Sequence, residues 1–202
     1  MTSPATDGSP SRPRQLVELT AGSGQPPALR LRAYRDDDLD ALCRAFEDPQ
    51  VRRWNPGPPS VDLEAVRQWG VRRNDWSDGS HASWAVADDP GTLLGSVSVY
   101  QVDHEHGDAE VGYWLAPWGR GRGVATAAVT RAAAYAFAEL GVHRLRLMHS
   151  VENPASCAVA ARTGFVLEGH LRRSHAFPDG RHHDEHLHAR LADDPDGPLP
   201  PS

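Results

Sequence analysis

The densest chemistry in the sequence lies between Ala109 and Ala125, A-E-V-G-Y-W-L-A-P-W-G-R-G-R-G-V-A. An apolar strand ends near Leu115, a Pro- and Gly-rich turn follows, and a helix begins. Such a turn presents unpaired backbone N–H groups at the positive end of a helix dipole. Glycines let the backbone approach a bulky anion closely, and Arg120 and Arg122 add positive charge. That is the chemistry of a diphosphate site. Two common phosphate loops are excluded. G-x-x-x-x-G-K-[ST] needs a Lys, and all 21 basic residues here are Arg. G-x-G-x-x-G fails too: counted from Gly119 its third glycine position is Val124, and from Gly121 it is Thr126. The segment instead fits [QR]-x-x-G-x-[GA], with Arg120, Gly123 and Ala125 at the defining positions. Taken alone, so short a pattern is also what an ordinary glycine turn before a helix would give.

Histidines are the other conspicuous reactive group. Six of the eleven lie between His170 and His188. On a strand, His182, His183, His186 and His188 fall on both faces. The stretch has neither the helical i, i+4 pair nor the Cys partners of a zinc site, so no metal site is expected. Cys43 and Cys157 stand far apart in sequence with no C-x-x-C spacing. A disulfide framework is not expected, and the pattern suits a reducing, cytoplasmic setting.

The elements that position these groups can be read from periodicity and turn signals. Residues 15–20 and Leu29–Tyr34 are expected strands that could pair as a hairpin. Residues 36–47 place Leu39, Leu42, Cys43 and Phe46 on one helical face. Residues 60–76 form a second expected helix, with Ser60 as N-cap and Leu63, Val66, Trp69 and Val71 as its apolar residues. Strands follow at Ser83–Ala87, Leu93–Val102 and Ala109–Leu115, separated by turn signals. An Ala-rich helix at 124–139 ends before Gly141, and Arg144–Ser150 is a strand. A compact helix at 154–163 has Asn153 as N-cap, Pro154 in its first position and Gly164 after its end. Strands near 165–172 and 183–191 close the sheet. The Pro-, Ser- and Thr-rich residues 1–14 and the tail 193–202 are expected to be disordered, leaving one domain over 15–192.

Composition narrows the partners. The net charge of -6 argues against bulk nucleic-acid binding. No run approaches 18 apolar residues, so no membrane span is expected, and the first residues lack the apolar core of a signal peptide.

Over about residues 29–191 several collinear segments resemble the GNAT superfamily of N-acetyltransferases, in its RimJ/RimL-like branch. They are L-R-L-R-A-Y-R-D-D-D-L-D, D-P-Q-V-R-R-W, A-E-V-G-Y-W-L with the loop after it, N-P-A-S-C-A-V-A-A-R-T-G-F and D-G-R-H-H-D. The resemblance implies a mixed α/β (α+β) single-domain GNAT fold, a twisted mixed sheet of about seven strands with about four helices. It implies acetyl-CoA as co-substrate and no metal. The pantetheine arm would pair with the backbone of Tyr113, Trp114 and Leu115 as an added strand would. Arg120, Arg122 and the amides of Gly121, Gly123, Val124 and Ala125 would hold the pyrophosphate, and Asn153 would reach the arm, although capping alone also explains it.

The reaction needs an acceptor for the amine proton and a proton for the leaving thiolate. Glu110 is the candidate base, on the cofactor strand beside an apolar stretch that would raise its pKa; a surface-facing Glu is the competing account. Many GNAT enzymes carry a Tyr acid at the position of Ala160 here. By resemblance to the branch Ser156 stands in, either donating to sulfur and touching the cofactor or merely satisfying helix amides. Cys157 beside it is read as a small buried hydrophobe. Trp54 and Trp84 are candidates to line the acceptor pocket, with core packing the simpler account of Trp84, and Asp184 and Glu185 are second-choice bases. The acceptor could be a protein N-terminal α-amine, or a small molecule such as an antibiotic or polyamine served by the acids Asp36–Asp38, Asp103, Glu105 and Asp108. A non-catalytic acyl-CoA-binding module is the third reading. A homodimer is compatible with the fold, without a sequence feature that establishes one.

Overall fold

In the computed structural model residues 19–20, 29–55, 57–177, 180–195 and 197 are described. The expected N-terminal tail, the beginning of the first strand, the 21–27 loop and most of the C-terminal tail lie outside them. The described residues form eight strands, five α-helices and two short 3-10 turns. The strands are β1 (Leu19–Thr20), β2 (Leu29–Arg32), β3 (His81–Asp88), β4 (Leu93–Asp103), β5 (Asp108–Leu115), β6 (Arg144–Ser150), β7 (Val166–Ala176) and β8 (His182–Leu191). The helices are α1 (Leu39–Glu47), α2 (Pro49–Trp54), α3 (Leu63–Asn74), α4 (Val124–Ala138) and α5 (Pro154–Arg162). One sheet carries all the strands in the order β1-β2-β3-β4-β5-β6-β8-β7. Only β5 and β6 run parallel, joined by α4, and every other pair is antiparallel. This is the mixed sheet the sequence leads one to expect, with β1 and β2 pairing as a hairpin.

The sheet is covered on both faces. Alternation along β3 sends Ala82, Trp84 and Val86 to one side, where Val124, Ala128, Val129, Ala132 and Ala136 of α4 pack on them. Ala85 goes to the other side, into a second core with Leu42 and Phe46 of α1 and Val66 and Trp69 of α3. No helix among the described residues is long and apolar enough to cross a membrane.

Three expectations about helices need correction. Asp62, not Ser60, caps α3: its carboxylate accepts the Ala65 N–H at 2.9 Å, and Ser60 donates to Asp62 instead. Leu63 and Val71 stay exposed because the buried stripe of α3 is Val66, Trp69 and Gly70. The sequence also breaks into a helix at Pro49, where none was expected. Asp48 accepts from the N–H groups of Gln50 and Val51, and Pro49 has no N–H to leave unsatisfied.

Beside the second core Arg32 and Asp38 form a two-pronged ion pair at 2.7 and 2.8 Å, both side chains 4% exposed. Asp38 also accepts the Arg35 N–H at 2.9 Å, which fixes the turn from β2 into α1. Removing one member leaves a buried charge without its partner. Asp38→Ala is therefore expected to destabilise the fold by about 3–5 kcal/mol. Urea unfolding would show this as a lower midpoint at unchanged slope.

Candidate active site

β5 and β6 pair at only three positions, Asp108 with Arg144, Ala109 with Leu145 and Glu110 with Arg146. Past Glu110, β6 continues beside β8 as far as Ser150, while β5 stays with β4 as far as Leu115. The two strands therefore part, and Val111–Leu115 keep one backbone edge without a β6 partner. Unpaired N–H and C=O groups at a strand edge are a template for an extended, amide-bearing ligand.

Two chambers meet in this opening. One, of about 610 Å³, runs along Tyr113–Leu115, the loop at Arg120–Gly123, the first turn of α4 and one face of α5. The other, of about 620 Å³, is lined by Glu110, Tyr100, Arg146, Glu185, Arg73 and Ser174 among others. Tyr113, Trp114, Asn153, Ser156 and Trp54 line both, so they mark the junction.

The loop end of the first chamber is built to receive an anion. Gly121 and Gly123 have φ of 72° and 74°, which L side chains rarely adopt. Gly123 is the N-cap of α4 and supplies no side-chain cap, so the N–H groups of its first turn are left for a ligand. A Cβ on Gly121 would meet nothing within 4 Å, so the loop opens there. Arg120 lines the chamber but is already engaged, by Asp48 at 2.6 Å and Gln50 at 3.2 Å. Arg122 is exposed and does not line it. Arg162, at the end of α5, supplies a second cation in its place.

On β5 the pleat separates two groups. Glu110 and Tyr113 lie an odd number of residues apart and point to opposite faces, yet both line the second chamber. It therefore reaches both sides of the sheet through the gap. Burial pushes the Glu110 carboxyl above the usual carboxylate range, against the pull of a hydrogen bond from Tyr100 and of Arg146, 3.8 Å away. Tyr100 is itself pushed up by burial and by Glu110, so its proton stays on the phenol. Gly112 makes this contact possible: a Cβ there would lie 2.9 Å from the Tyr100 ring. On the other face the Tyr113 hydroxyl, pushed up to about 12 by burial, donates to Ser156 Oγ at 2.9 Å. With its oxygen accepting, Ser156 keeps its own proton to give. Asn153 caps α5 through its side-chain oxygen, which accepts the Ser156 N–H at 3.2 Å, and its NH₂ remains directed elsewhere.

Other candidates fall away from the opening. Trp84 is fully buried, with the rings of Trp76 and Tyr135 at 5.0 and 5.1 Å, and cannot line an acceptor pocket. Asp184 lies outside both chambers, held below the usual range by the Arg173 N–H and then His170. Its neighbour Glu185 points the other way, is 5% exposed, and accepts from Ser174 at 2.8 Å inside the chamber. Asp36, Asp38, Asp103 and Asp108 pair with Arg67, Arg32, His106 and Arg146 respectively, and none lines the chamber. Sequence reasoning missed the hydroxyl of Tyr113, together with Tyr100, Arg146 and Arg162. The period-2 rule could have placed Tyr100 opposite Glu110 once β4 and β5 were aligned.

A parted parallel pair and a glycine loop at a helix start together suit an extended, amide-bearing ligand that ends in a diphosphate. A family model described as the acetyltransferase (GNAT) domain matches residues 28–166. Spermidine N(1)-acetyltransferase of Vibrio cholerae is 34% identical over 156 residues, 77% of this chain and 88% of that protein. Ribosomal-protein-serine acetyltransferase of Escherichia coli is 34% identical over 102 residues, half of this chain and 56% of its own. The chain spans about half the length of such ribosomal-type relatives, 51% in the case of one from Bacillus subtilis. Mycobacterium smegmatis RimJ, solved in complex with CoA-disulfide, superposes with a TM-score of 0.75 at 26% identity, over 90% of this chain and 88% of that one. The chain belongs to the GNAT acetyltransferase family, in its RimJ/RimL-like branch, and is an N-acetyltransferase that uses acetyl-CoA.

The positive φ of Gly121 generates a direct test of the loop. An alanine holds a left-handed backbone only at a cost of roughly 1–2 kcal/mol, and the open loop lets it relax when no ligand is bound. The cost then falls on binding, so Gly121→Ala should weaken coenzyme A binding about tenfold by calorimetry, with unfolding little changed.

Proposed function

We propose that the enzyme acetylates the α-amine of a protein N-terminus. The observation that carries this reading is the charge of the acceptor chamber. Its lining carboxylates, Glu110 and Glu185, are matched by two guanidinium groups, Arg73 and Arg146. A polyamine would call for an excess of acid, and Asp36–Asp38, Asp103, Glu105 and Asp108 all lie outside the chamber lining. A balanced, open chamber suits a neutral peptide end with one amine. The chemistry agrees: an α-amine titrates near ~7.7–8.0 and a Lys side chain near ~10.4, so deprotonation at pH 7 costs about 1 against over 4 kcal/mol. A single carboxylate is enough for the first.

In this reading the amides of Gly121–Ala125 with Arg120 and Arg162 hold the diphosphate, and the open edge of Tyr113–Leu115 aligns the amide-bearing arm. Asn153 offers its free NH₂ to that arm. Bound acetyl-CoA supplies the thioester carbonyl that the amine attacks. Glu110 takes the amine proton, directly or through a water, and Arg146 and Tyr100 keep it oriented. Ser156 gives its proton to the departing sulfur and is held in place by Tyr113. Trp54 forms part of the acceptor wall, edge-on to Phe177 at 5.7 Å. The small-amine reading has the spermidine enzyme of V. cholerae in its favour.

The test is acceptor-dependent release of coenzyme A thiol with Ala- and Ser-initiated peptides, polyamines and aminoglycosides. Peptides are expected to give the highest kcat/KM. A preference for spermidine would overturn the assignment and leave the acetyltransferase intact. Glu110→Gln is expected to lower kcat by about 10²–10⁴ while coenzyme A binding is retained. Because the Glu110 pKa is raised and the base must be ionised, wild-type kcat should fall as pH drops through a value above the usual ~4.3, and the variant should lose that limb. Ser156→Ala and Tyr113→Phe should each reduce kcat with little effect on acceptor KM. Their double variant should fall no further than Ser156→Ala, because Tyr113 acts through Ser156.

A further inference from the structure

Behind the junction the fold assembles a group that the sequence spacing concealed. His149 of β6 lies directly across from His186 of β8, and His188 follows on the same face opposite Leu147. Cys157 of α5, which lines neither chamber, completes the set. One ligand atom from each of the four lies within 4.8 Å of every other. The absence of a Cys partner among the C-terminal histidines held in sequence but not in space, since the thiol arrives from another element.

Two details point to a cation. His149 Nδ1 lies 2.9 Å from the Ser150 carbonyl, an acceptor, so Nδ1 carries the proton and Nε2 offers a lone pair. An imidazole fixed through its far nitrogen by a carbonyl is the arrangement of metal-bound histidines. That Nε2 lies 3.2 Å from His188 Nε2, a hydrogen-bonded separation that a shared cation would also give, with the rings stacked at 25°. Zn–N bonds of about 2.0–2.1 Å at tetrahedral angles place two nitrogens about 3.3–3.4 Å apart. The buried Nδ1 of His186 has no hydrogen-bond partner. His149 and His188 are 7% and 3% exposed, while Cys157 and His186 are partly buried and give an ion its way in.

We propose that His149, Cys157, His186 and His188 bind one zinc ion that pins α5 to β6 and β8. Three imidazoles and a thiolate are a borderline-soft donor set suited to zinc. The widest spacing of the four atoms, up to 4.8 Å, exceeds the roughly 3.3–3.7 Å of a tetrahedral N/S set, so the bound ion would draw the side chains together. With all four positions taken by protein the ion has no open position for substrate and stays out of the acetyl transfer. Its effect is on placement, because α5 carries Asn153 and Ser156 to the junction.

The test is titration of the metal-free chain with Co²⁺, followed by displacement with Zn²⁺. The expected result is one Co²⁺ per chain, with tetrahedral d–d absorption and a thiolate-to-cobalt charge-transfer band, both removed by Zn²⁺. Cys157→Ser should abolish the charge-transfer band, Cys43→Ser should leave it unchanged, and His186→Ala should weaken Co²⁺ binding by at least roughly tenfold. Zn²⁺ should raise the Tm of the wild type by several degrees and that of Cys157→Ser much less. Cys157 and His186 are only partly buried, and far-UV circular dichroism verifies that both variants fold. A wild type without the charge-transfer band overturns the proposal. So does Co²⁺ held equally well by Cys157→Ser and His186→Ala, which would place the ion on the exposed histidines of β7 and β8.

Discussion

The structure depends on the parting of β5 from β6 after three paired residues. A continuous sheet would satisfy the backbone of Val111–Leu115 and leave nothing for a ligand. The parting leaves those groups to a bound molecule, and it also pierces the sheet. Glu110 and Tyr113, on opposite faces of one strand, can then both serve the same reacting centre. The alternation that separates core from solvent in an ordinary strand here separates the Glu110 carboxyl from the Tyr113–Ser156 hydroxyl pair.

The rest of the molecule keeps that fork open. β4 holds β5 on one side along six consecutive pairs from Gly95–Leu115 to Tyr100–Glu110, and β8 holds β6 on the other. α4 packs across the back of β4 and β5 and presents its uncapped start to the loop. α1 and α3 cover the opposite face and bring Trp69 and Arg73 to the acceptor wall. The bulge in β4 at Gln101, where φ is 51°, ends the regular ladder where the chamber begins.

Much of this was legible in the sequence, for identifiable reasons. Elements with a clean period or a hard stop, such as β6 and the Asn153–Pro154 start of α5, were found at their bounds. The six-residue α2 was not, because it is too short to show a period and its signal is one Asp–Pro step. Glu110 and Ser156 came from local sequence together with resemblance; Ser156 lines both chambers and Glu110 the second. Trp84 stood between pocket and core in the sequence, because a Trp on a strand looks the same in either place, and burial puts it in the core. Partnerships across the sheet, Tyr100 with Glu110 and Cys157 with the histidines, depend on register between segments far apart in the chain. No single stretch records that register.

Gly112 lines the chamber without a side chain, and that missing side chain is what lets the Tyr100 phenol settle against Glu110. The hydrogen bond this allows pulls the Glu110 carboxyl down against the larger upward push of burial. If Glu110 acts as proposed, varying positions 112 and 100 would retune the working pH while position 110 is left alone. The cost of such adjustment would fall on packing, where small steps are tolerated, and not on the carboxylate itself.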